Sequence, residues 1–436
     1  MDTKKQLYIE TYGCQMNFAD SEIVASILSD NYAICNDIQQ ADVILINTCS
    51  IRENAEQKVL KRLVELNALY RKHSSIKIGL IGCMAARFEK ELIKKSLVDI
   101  VAGPDAYRSL ALLLEDSYQQ ATNTILSTIE TYDDILPLRF DSNGISAFIS
   151  IMRGCNNFCS YCVVPYTRGR ERSRNPKTII EEVKKLLDKG FKEVTLLGQN
   201  VNSYEWDEHI DFPDLMDQVA SVDKSLRIRF ATSHPKDLSD KLLQVMAAHP
   251  NICKSIHLPA QSGSNAILKR MNRKYTREWY LQRIDAIRHY MPEAGISTDI
   301  IAGFCGETEQ DHQDTLSLMQ MVAYDFAFMF KYSERSGTHA SKTLTDDVPD
   351  HIKTRRLEEI ITLQQQLSHN SNLSDLGKSF EVLIEGTSKR SPDFYFGRNS
   401  QNKVIVFPKL HYNIGDYVNV KVESCTTATL LGSIQA

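Results

Sequence analysis

The sequence predicts an α/β chain built in three parts. An N-terminal doubly wound parallel sheet comes first, a central open (β/α)6 three-quarter barrel follows, and a small β-barrel of the OB-like size class closes the chain. Three observations carry the prediction. Apolar strand-like runs alternate with helical patterns over residues 6–103. The alternation restarts, longer and more regular, at Ala147. Beyond Ser371, short alternating strands marked off by glycines replace it. The expected domains are residues 1–117, a connector over 118–146, residues 147–370 and residues 371–436.

Composition sets limits on function. The 436 residues suit several domains, and 42% hydrophobic with 24% charged residues is ordinary globular usage. A formal net charge of −4 carries no global nucleic-acid signature, so any RNA contact must use local basic patches. Met1-Asp2-Thr3-Lys4-Lys5 runs straight into a strand, without the apolar stretch of a signal peptide, and no apolar run reaches membrane-spanning length. The expected location is the cytoplasm. Ten cysteines in a reducing compartment point to metal binding at a subset of them rather than to disulfides.

In the first part, residues 6–12, 43–46, 77–81 and 100–103 read as strands. Residues 20–28 read as a helix capped by Asp20 or Ser21, and 52–71 as a longer one with Val59, Leu60, Leu63, Leu66 and Leu69 inward. Cys14, Cys49 and Cys83 follow the first three strands. Parallel strands end on one side of a sheet, where open α/β folds place ligands, so these cysteines converge. Gly13 and Gly82 stand before two of them, where a tight turn is needed. Small buried cysteines also occur at strand ends for packing alone. The threefold equivalence favours a three-cysteine cluster site. Gln119, Gln120, Asn123 and the Tyr132-Asp133-Asp134 turn then break the pattern into a connector with no chemistry of its own.

The central strands fall at 148–152, 193–197, 226–230, 255–258, 297–301 and 326–332, with helices such as 176–189, 237–249 and 277–291 between them. Six units are too few to close an eight-stranded barrel, and the chemistry belongs at the C-terminal ends of the strands. There, after the first strand, lie Cys155, Cys159 and Cys162 at C-x3-C-x2-C spacing, with Tyr161 just before the last. Three thiolates this close hold three irons of a 4Fe–4S cluster and leave the fourth open. A structural zinc site would need paired C-x2-C units with a distant second pair.

Other strand ends on this rim are polar: Gln199 and Asn200, Ser233 and His234, Gln261, and Asp299. Each alone reads equally well as a loop cap; together, beside a cluster loop, they favour a polar ligand. His234 and His257 stand without an evident partner and read as structural. The basic runs 166–174, with Arg168, Arg170, Arg172 and Arg174, and 269–274 read by default as solvated faces, with polyanion contact as the alternative. After a helix over 351–370, strands at 380–385, 403–407 and 417–422 are separated by turns at Gly386, Gly397 and Gly415. Lys389, Arg390 and Arg398 mix there with Tyr395 and Phe396, either as an RNA-contacting surface or as core aromatics with incidental charges.

The central spacing is the signature of radical S-adenosylmethionine (SAM) enzymes. Tyr12-Gly13-Cys14-Gln15-Met16-Asn17, Asn47-Thr48-Cys49-Ser50-Ile51-Arg52-Glu53-Asn54-Ala55, Gly82-Cys83-Met84-Ala85 and the run from Cys155 through Gly169 resemble the methylthiotransferase family across the whole chain. The first motif matches neither the Cys-Pro-Lys-Asn of the ribosomal-protein branch nor the Cys-Lys-Val-Asn of the threonylcarbamoyl-adenosine branch, so the dimethylallyl-adenosine tRNA branch is expected. Cys305 departs from the family's usual proline and leaves a thiol near the SAM pocket; Cys35, Cys253, Cys305 and Cys425 read as non-ligands.

The resemblance implies two 4Fe–4S clusters, on Cys14, Cys49 and Cys83 and on Cys155, Cys159 and Cys162, and two SAM molecules per turnover. It implies Tyr161 beside the adenine, Gln199, Asn200, Ser233, Gln261 and Asp299 as SAM contacts, and a C-terminal TRAM domain for RNA. SAM is cleaved reductively at the central cluster, and a methylthio group carried by the other is placed on carbon 2 of N6-dimethylallyl (isopentenyl) adenosine at position 37 of tRNA. No side-chain acid or base is expected, because that C–H is not acidic enough for one. Reduced flavodoxin or ferredoxin is the implied electron donor, no membrane is involved, and the chain is expected as a monomer. Two alternatives stay open: a methylthiotransferase for protein or threonylcarbamoyl-adenosine, and a non-enzymatic RNA-binding iron–sulfur protein. The latter needs a fourth ligand that the sequence does not offer nearby.

Overall fold

The computed structural model describes residues 4–50, 53–70, 76–115, 121–140 and 143–435, with the side chains of 53–55 outside that description. The expectations for Ile51, Arg52, Arg71, Gln119 and Gln120 lie outside the described residues.

The N-terminal sheet has six parallel strands in the order Tyr32–Ile34, Lys5–Tyr12, Val43–Thr48, Lys77–Gly82, Ile100–Ala102 and Ala121–Asn123. Val43–Thr48 is buried along its whole length, as a central parallel strand must be when helices cover both faces. Its period of two divides the core. Val43 and Leu45 pack with Ile23, Val24, Leu28 and Leu110 on one face, and Ile44 and Ile46 with Val59, Leu63 and Leu66 on the other. Leu69, expected inward, is exposed.

The first helix runs Gln15–Leu28 and is capped by Cys14, not by Asp20 or Ser21. The strand ends at Tyr12 and the chain turns at once, which puts Asp20 in mid-helix and buries it. The expected connector is also built in where it is described. Ala121–Asn123 forms the edge strand, and Tyr132 stacks on Tyr107 at 5.6 Å. The Tyr132 hydroxyl accepts from the Tyr107 amide and donates to the Pro104 carbonyl, so this buried hydroxyl is paired on both sides.

Six parallel strands make the central barrel: Ser146–Ser150, Glu193–Leu197, Arg227–Ala231, Ser255–His257, Gly295–Ala302 and Phe326–Lys331. Two three-stranded pieces join where Ile228 exchanges backbone bonds with residues 251 and 253. Among the described residues the first and last strands do not pair, so the barrel stays open. The C-terminal residues close into a five-stranded barrel of Ser379–Thr387, Phe394–Arg398, Val404–Pro408, Leu430–Ile434 and Tyr417–Cys425. It docks on the starting ends of the central strands. Arg227 and Arg229 donate to the carbonyls of Arg398 and Asn399, and the Tyr417 hydroxyl to those of Lys192 and Ser225.

Gly386 and Gly397 are not turns. Both lie within strands, and a Cβ on Gly397 would sit 2.0 Å from the Leu383 carbonyl oxygen of the paired strand. Gly397→Ala should therefore force the barrel strands apart and lower its stability by about 1–3 kcal/mol. Limited proteolysis would then cut first within residues 379–434, ahead of the rest of the chain.

Candidate functional site

Strand register brings Cys14, Cys49 and Cys83 to one level. Tyr12 pairs with Thr48 and Thr48 with Gly82, so the three chains leave the sheet side by side. The approach is close enough to require glycine. A Cβ on Gly13 would lie 2.6 Å from the Cys49 Cβ, and one on Gly82, at φ +91°, would lie 2.7 Å from the Thr48 carbonyl oxygen. Asn17 Nδ2 donates to Asn47 Oδ1 and to the Thr48 carbonyl, while Asn47 Nδ2 donates back to the Asn17 carbonyl and to Ser21. This buried exchange locks the first two loops together. Cys14 caps one helix and Cys83 opens another, Cys83–Lys94, where the helix dipole favours thiolate. A hydrogen bond from the Cys49 thiol, helped by the Arg168 charge, lowers the Cys14 thiol to about 6. Burial pushes Cys83 the other way.

The second set lies on the loop after Ser146–Ser150. The Cys155 amide donates to the Gly169 carbonyl and the Cys162 amide to the Cys159 carbonyl. The 269–274 run cradles this loop instead of facing solvent as a whole. Arg273 is buried and donates to Cys159 Sγ at 3.3 Å, to the Pro259 carbonyl and to the Tyr275 hydroxyl. Asn272 donates to the Phe158 carbonyl and Ser160 to the Arg270 carbonyl. Burial pushes Cys155 up to about 11 and raises Cys162 as well.

A buried charge cluster ties the two loops together. Asp20, fully buried, accepts from Arg153 at 2.9 Å, from Arg168 at 2.7 Å and from the Tyr107 hydroxyl. Asp105 accepts from Arg172 at 2.7 and 3.1 Å. Arg168 Nε also donates to Cys83 Sγ at 3.0 Å, so one guanidinium on the central loop touches a cysteine of the N-terminal domain. These contacts correct the RNA reading of Arg168, Arg172 and Arg174. All three are buried, and Arg174 pairs with Glu182. Arg170 alone of the four is exposed. In the C-terminal barrel Lys389 and Arg390 are exposed, whereas Arg398 is tied to Glu385.

The rim residues fall into two kinds. The Asn200 side-chain oxygen Oδ1, the Ser233 hydroxyl and His234 Nε2 are buried without a partner in the chain, at two neighbouring strand ends. Buried polar atoms of this sort await a ligand or water. Gln199 is engaged, accepting from the Gly154 amide, and Gln261 joins the sheet through its backbone, bonding to Asp299 and Ile301. His257 is not partnerless: Ser297 and Asp299 flank it, at 3.0 and 3.4 Å. Tyr161 packs edge-on to Phe304 at 6.3 Å. Cys305 is buried with Phe304 and Tyr332, its thiol raised by that burial.

Three family models match the chain: "Uncharacterized protein family UPF0004" over residues 6–103, "Radical SAM superfamily" over 149–319 and "TRAM domain" over 374–434. The tRNA-2-methylthio-N(6)-dimethylallyladenosine synthase of Phocaeicola vulgatus is 57% identical over 435 residues, covering 98% of this chain and 95% of that one. That of Bacteroides thetaiotaomicron is 56% identical, covering 99% and 96%. The chain belongs to the tRNA-2-methylthio-N(6)-dimethylallyladenosine synthase family. Among solved structures, the radical SAM methyltransferase TsrM of Kitasatospora setae matches with a TM-score of 0.56 at 12% identity, over 75% of this chain and 73% of that one. The cobalamin-dependent radical SAM enzyme OxsB matches at 0.54 and 10%, over 83% and 56%. At these identities they speak for the fold.

Membership of this synthase family brings a 4Fe–4S cluster and SAM, and the donor sets fit such a cluster. Each set is three free thiols, the donor type that such a cluster takes. Each trio also has one arginine N–H on a sulfur, Arg273 on Cys159 and Arg168 on Cys83, to support thiolate charge. Arg273, Arg153, Asp20, Asn17 and Asn47 are the site residues that sequence reasoning missed. Asn17, at the third helical position after Cys14, is the one with a local signal.

Two outcomes follow for the synthase-family site. Asp20→Ala removes the carboxylate that two buried guanidinium groups share, leaving Arg153 to Asp105 and the Pro104 carbonyl and Arg168 to Cys83, and should lower stability by about 3–5 kcal/mol in urea unfolding. In metal-free protein, Cys14 is thiolate above its pKa of about 6, whereas Cys155 stays protonated to about 11. Iodoacetamide pulses read by peptide mass spectrometry should therefore find Cys14 modified first at neutral pH, its rate falling as pH drops through about 6.

Proposed function

We propose that this chain adds a methylthio group to carbon 2 of N6-dimethylallyl adenosine at position 37 of tRNA. The observation that carries the reading is the Arg168 bridge: a residue of the Cys155–Cys162 loop bonded to Cys83 of the other trio. It supports two cluster sites held side by side, one for SAM and one for sulfur. When bound, the clusters and SAM supply one-electron cleavage of SAM and a carried sulfur.

The chain's own residues bind and orient. Cys155, Cys159 and Cys162 would hold the cluster that binds SAM, and Arg273 and Asn272 fix their loop. Cys14, Cys49 and Cys83 would hold the second cluster, which in this reading would supply the sulfur, with a second SAM supplying the methyl group. Asn200 and Ser233, with free buried polar atoms, are the strongest of the SAM contacts, joined by Tyr161, Gln199, Gln261 and Asp299. Gly154 to Gln199 ties the cluster loop to that rim. No side chain acts as acid or base on the reacting carbon.

The domains run 1–117, 147–370 and 371–436 around the 118–146 segment, and the last, with Lys389 and Arg390 exposed, adds tRNA affinity. A reduced flavodoxin or ferredoxin supplies electrons to a monomer in the cytoplasm; no described helix is long and apolar enough to cross a membrane.

Changing Cys14, Cys49 and Cys83 together to Ala separates the two sites. Iron should fall by about half, since one of two clusters is lost. Methionine and 5′-deoxyadenosine should still form under reduction, and methylthiolated tRNA should not. Full iron with normal methylthiolation would falsify the two-cluster reading. The measurements are iron and sulfide per chain and nucleoside mass spectrometry.

A further inference from the structure

The outer side of the central cysteine loop carries an aromatic and cationic patch that the functions assigned above leave unused. Phe158 stands between Cys155 and Cys159, with its backbone at φ +48°, a left-handed conformation in which a bulky residue is strained. Asn272 fixes it there through the Phe158 carbonyl, at 2.8 Å. The ring meets Tyr166 edge-to-face at 6.2 Å, and Tyr166 is 45% exposed. The Arg170 guanidinium lies over the Phe158 ring at 4.6 Å, and Lys342 Nζ lies over the Tyr166 ring at 5.7 Å. Both cations are exposed. Lys342 comes from a distant segment that is tied to the same loop, where the Ala340 amide donates to the Ser160 carbonyl at 2.7 Å.

These four residues form none of the buried pairs that hold Arg168, Arg172 and Arg174. Aromatic faces interleaved with exposed cations match one chemistry above others, an unpaired nucleobase with its phosphates. Placement strengthens the argument. The C-terminal barrel sits on the starting ends of the central strands, whereas the cysteine loop lies at their finishing ends. RNA held by the barrel alone would leave the bases beside the reacting adenosine without a grip.

We propose that Phe158, Tyr166, Arg170 and Lys342 form a stacking platform for an unpaired base of the anticodon loop next to the modified adenosine. The proposal rests on the tRNA reading given above. Tyr166 supplies the exposed ring, Phe158 supports it from beneath, and the two cations neutralise the flanking phosphates.

Binding of an anticodon stem–loop carrying dimethylallyl adenosine to the cluster-loaded enzyme, measured across a salt series, tests it. Tyr166→Ala should weaken binding about tenfold and leave the slope of log K against log salt unchanged, because stacking releases no counterion. Tyr166→Trp should bind within about twofold of the wild type, since any large ring stacks. Arg170→Gln and Lys342→Gln should each flatten the slope by roughly 0.7–0.9, one phosphate contact apiece. Iron content and far-ultraviolet dichroism establish that each variant is folded. Wild-type affinity in folded Tyr166→Ala overturns the platform, and so do unchanged slopes in both cation variants, which stand as a separate test if Tyr166→Ala does not fold. Absence of binding by the wild type would instead overturn the tRNA reading beneath it.

Discussion

Five buried charges decide how the two halves of this site meet. Asp20 and Asp105 come from the N-terminal domain; Arg153, Arg168 and Arg172 flank the central cysteine loop. Charges removed from water this completely persist only when paired and hydrogen-bonded. Each carboxylate therefore fixes the position of an arginine from the other domain. The count is uneven, three cations against two anions, and the surplus points the same way as the Arg168 bond to Cys83. Cys14, its thiol lowered to about 6 in part by the Arg168 charge, supplies negative charge there. Loading that trio with metal, which deprotonates its ligands, thus strengthens the contact between the domains.

The two thiol trios solve the same electrostatic problem by different means. Cys14 and Cys83 sit at helix starts, where aligned peptide dipoles favour the anion. At the central trio burial outweighs the short helix Val164–Thr167 that starts after Cys162, and raises the Cys155 and Cys162 thiols, so that both stay protonated until a metal takes the proton's place. Each trio nonetheless receives one guanidinium N–H, and hydrogen bonds to cluster sulfur are among the determinants of reduction potential. Neither arginine is exchangeable for lysine without loss. Arg168 spans Cys83 and Asp20 at once, and only a fork of donors reaches both.

The parts of this architecture written in periodicity were legible. The buried run 43–46 announced a central parallel strand, and the cysteines after three strands announced a shared edge, because in-register parallel strands end together. The six central strands were legible for the same reason. What escaped was set by partners far along the chain. Arg168 meets Asp20 across 148 residues and Arg172 meets Asp105 across 67, so these two arginines of a run that reads as solvated are in fact interior. Short edge strands such as Tyr32–Ile34 carry too few residues to show a period. Gly397 looked like a turn because glycine signals both a reversal and a close approach, and only the Leu383 carbonyl opposite it separates the two.

The position of the C-terminal barrel constrains how an RNA can be held. Gly295–Ala302 runs eight residues from the barrel's docking side to the rim, and at about 3.3 Å per residue such strands set the two surfaces roughly 25 Å apart. The barrel's docking contacts, at Arg398, Asn399 and Tyr417, thus lie on the side of the central domain away from the cysteine rim. RNA bound at the barrel would be held through a part other than the target base, where phosphate contacts position without reading sequence. Discrimination among adenosines then falls to the finishing ends of the central strands. Asn200 Oδ1 and the Ser233 hydroxyl, unpaired and buried on the same rim, serve SAM in the proposed reading, since an unpaired buried donor or acceptor penalises any ligand that fails to satisfy it.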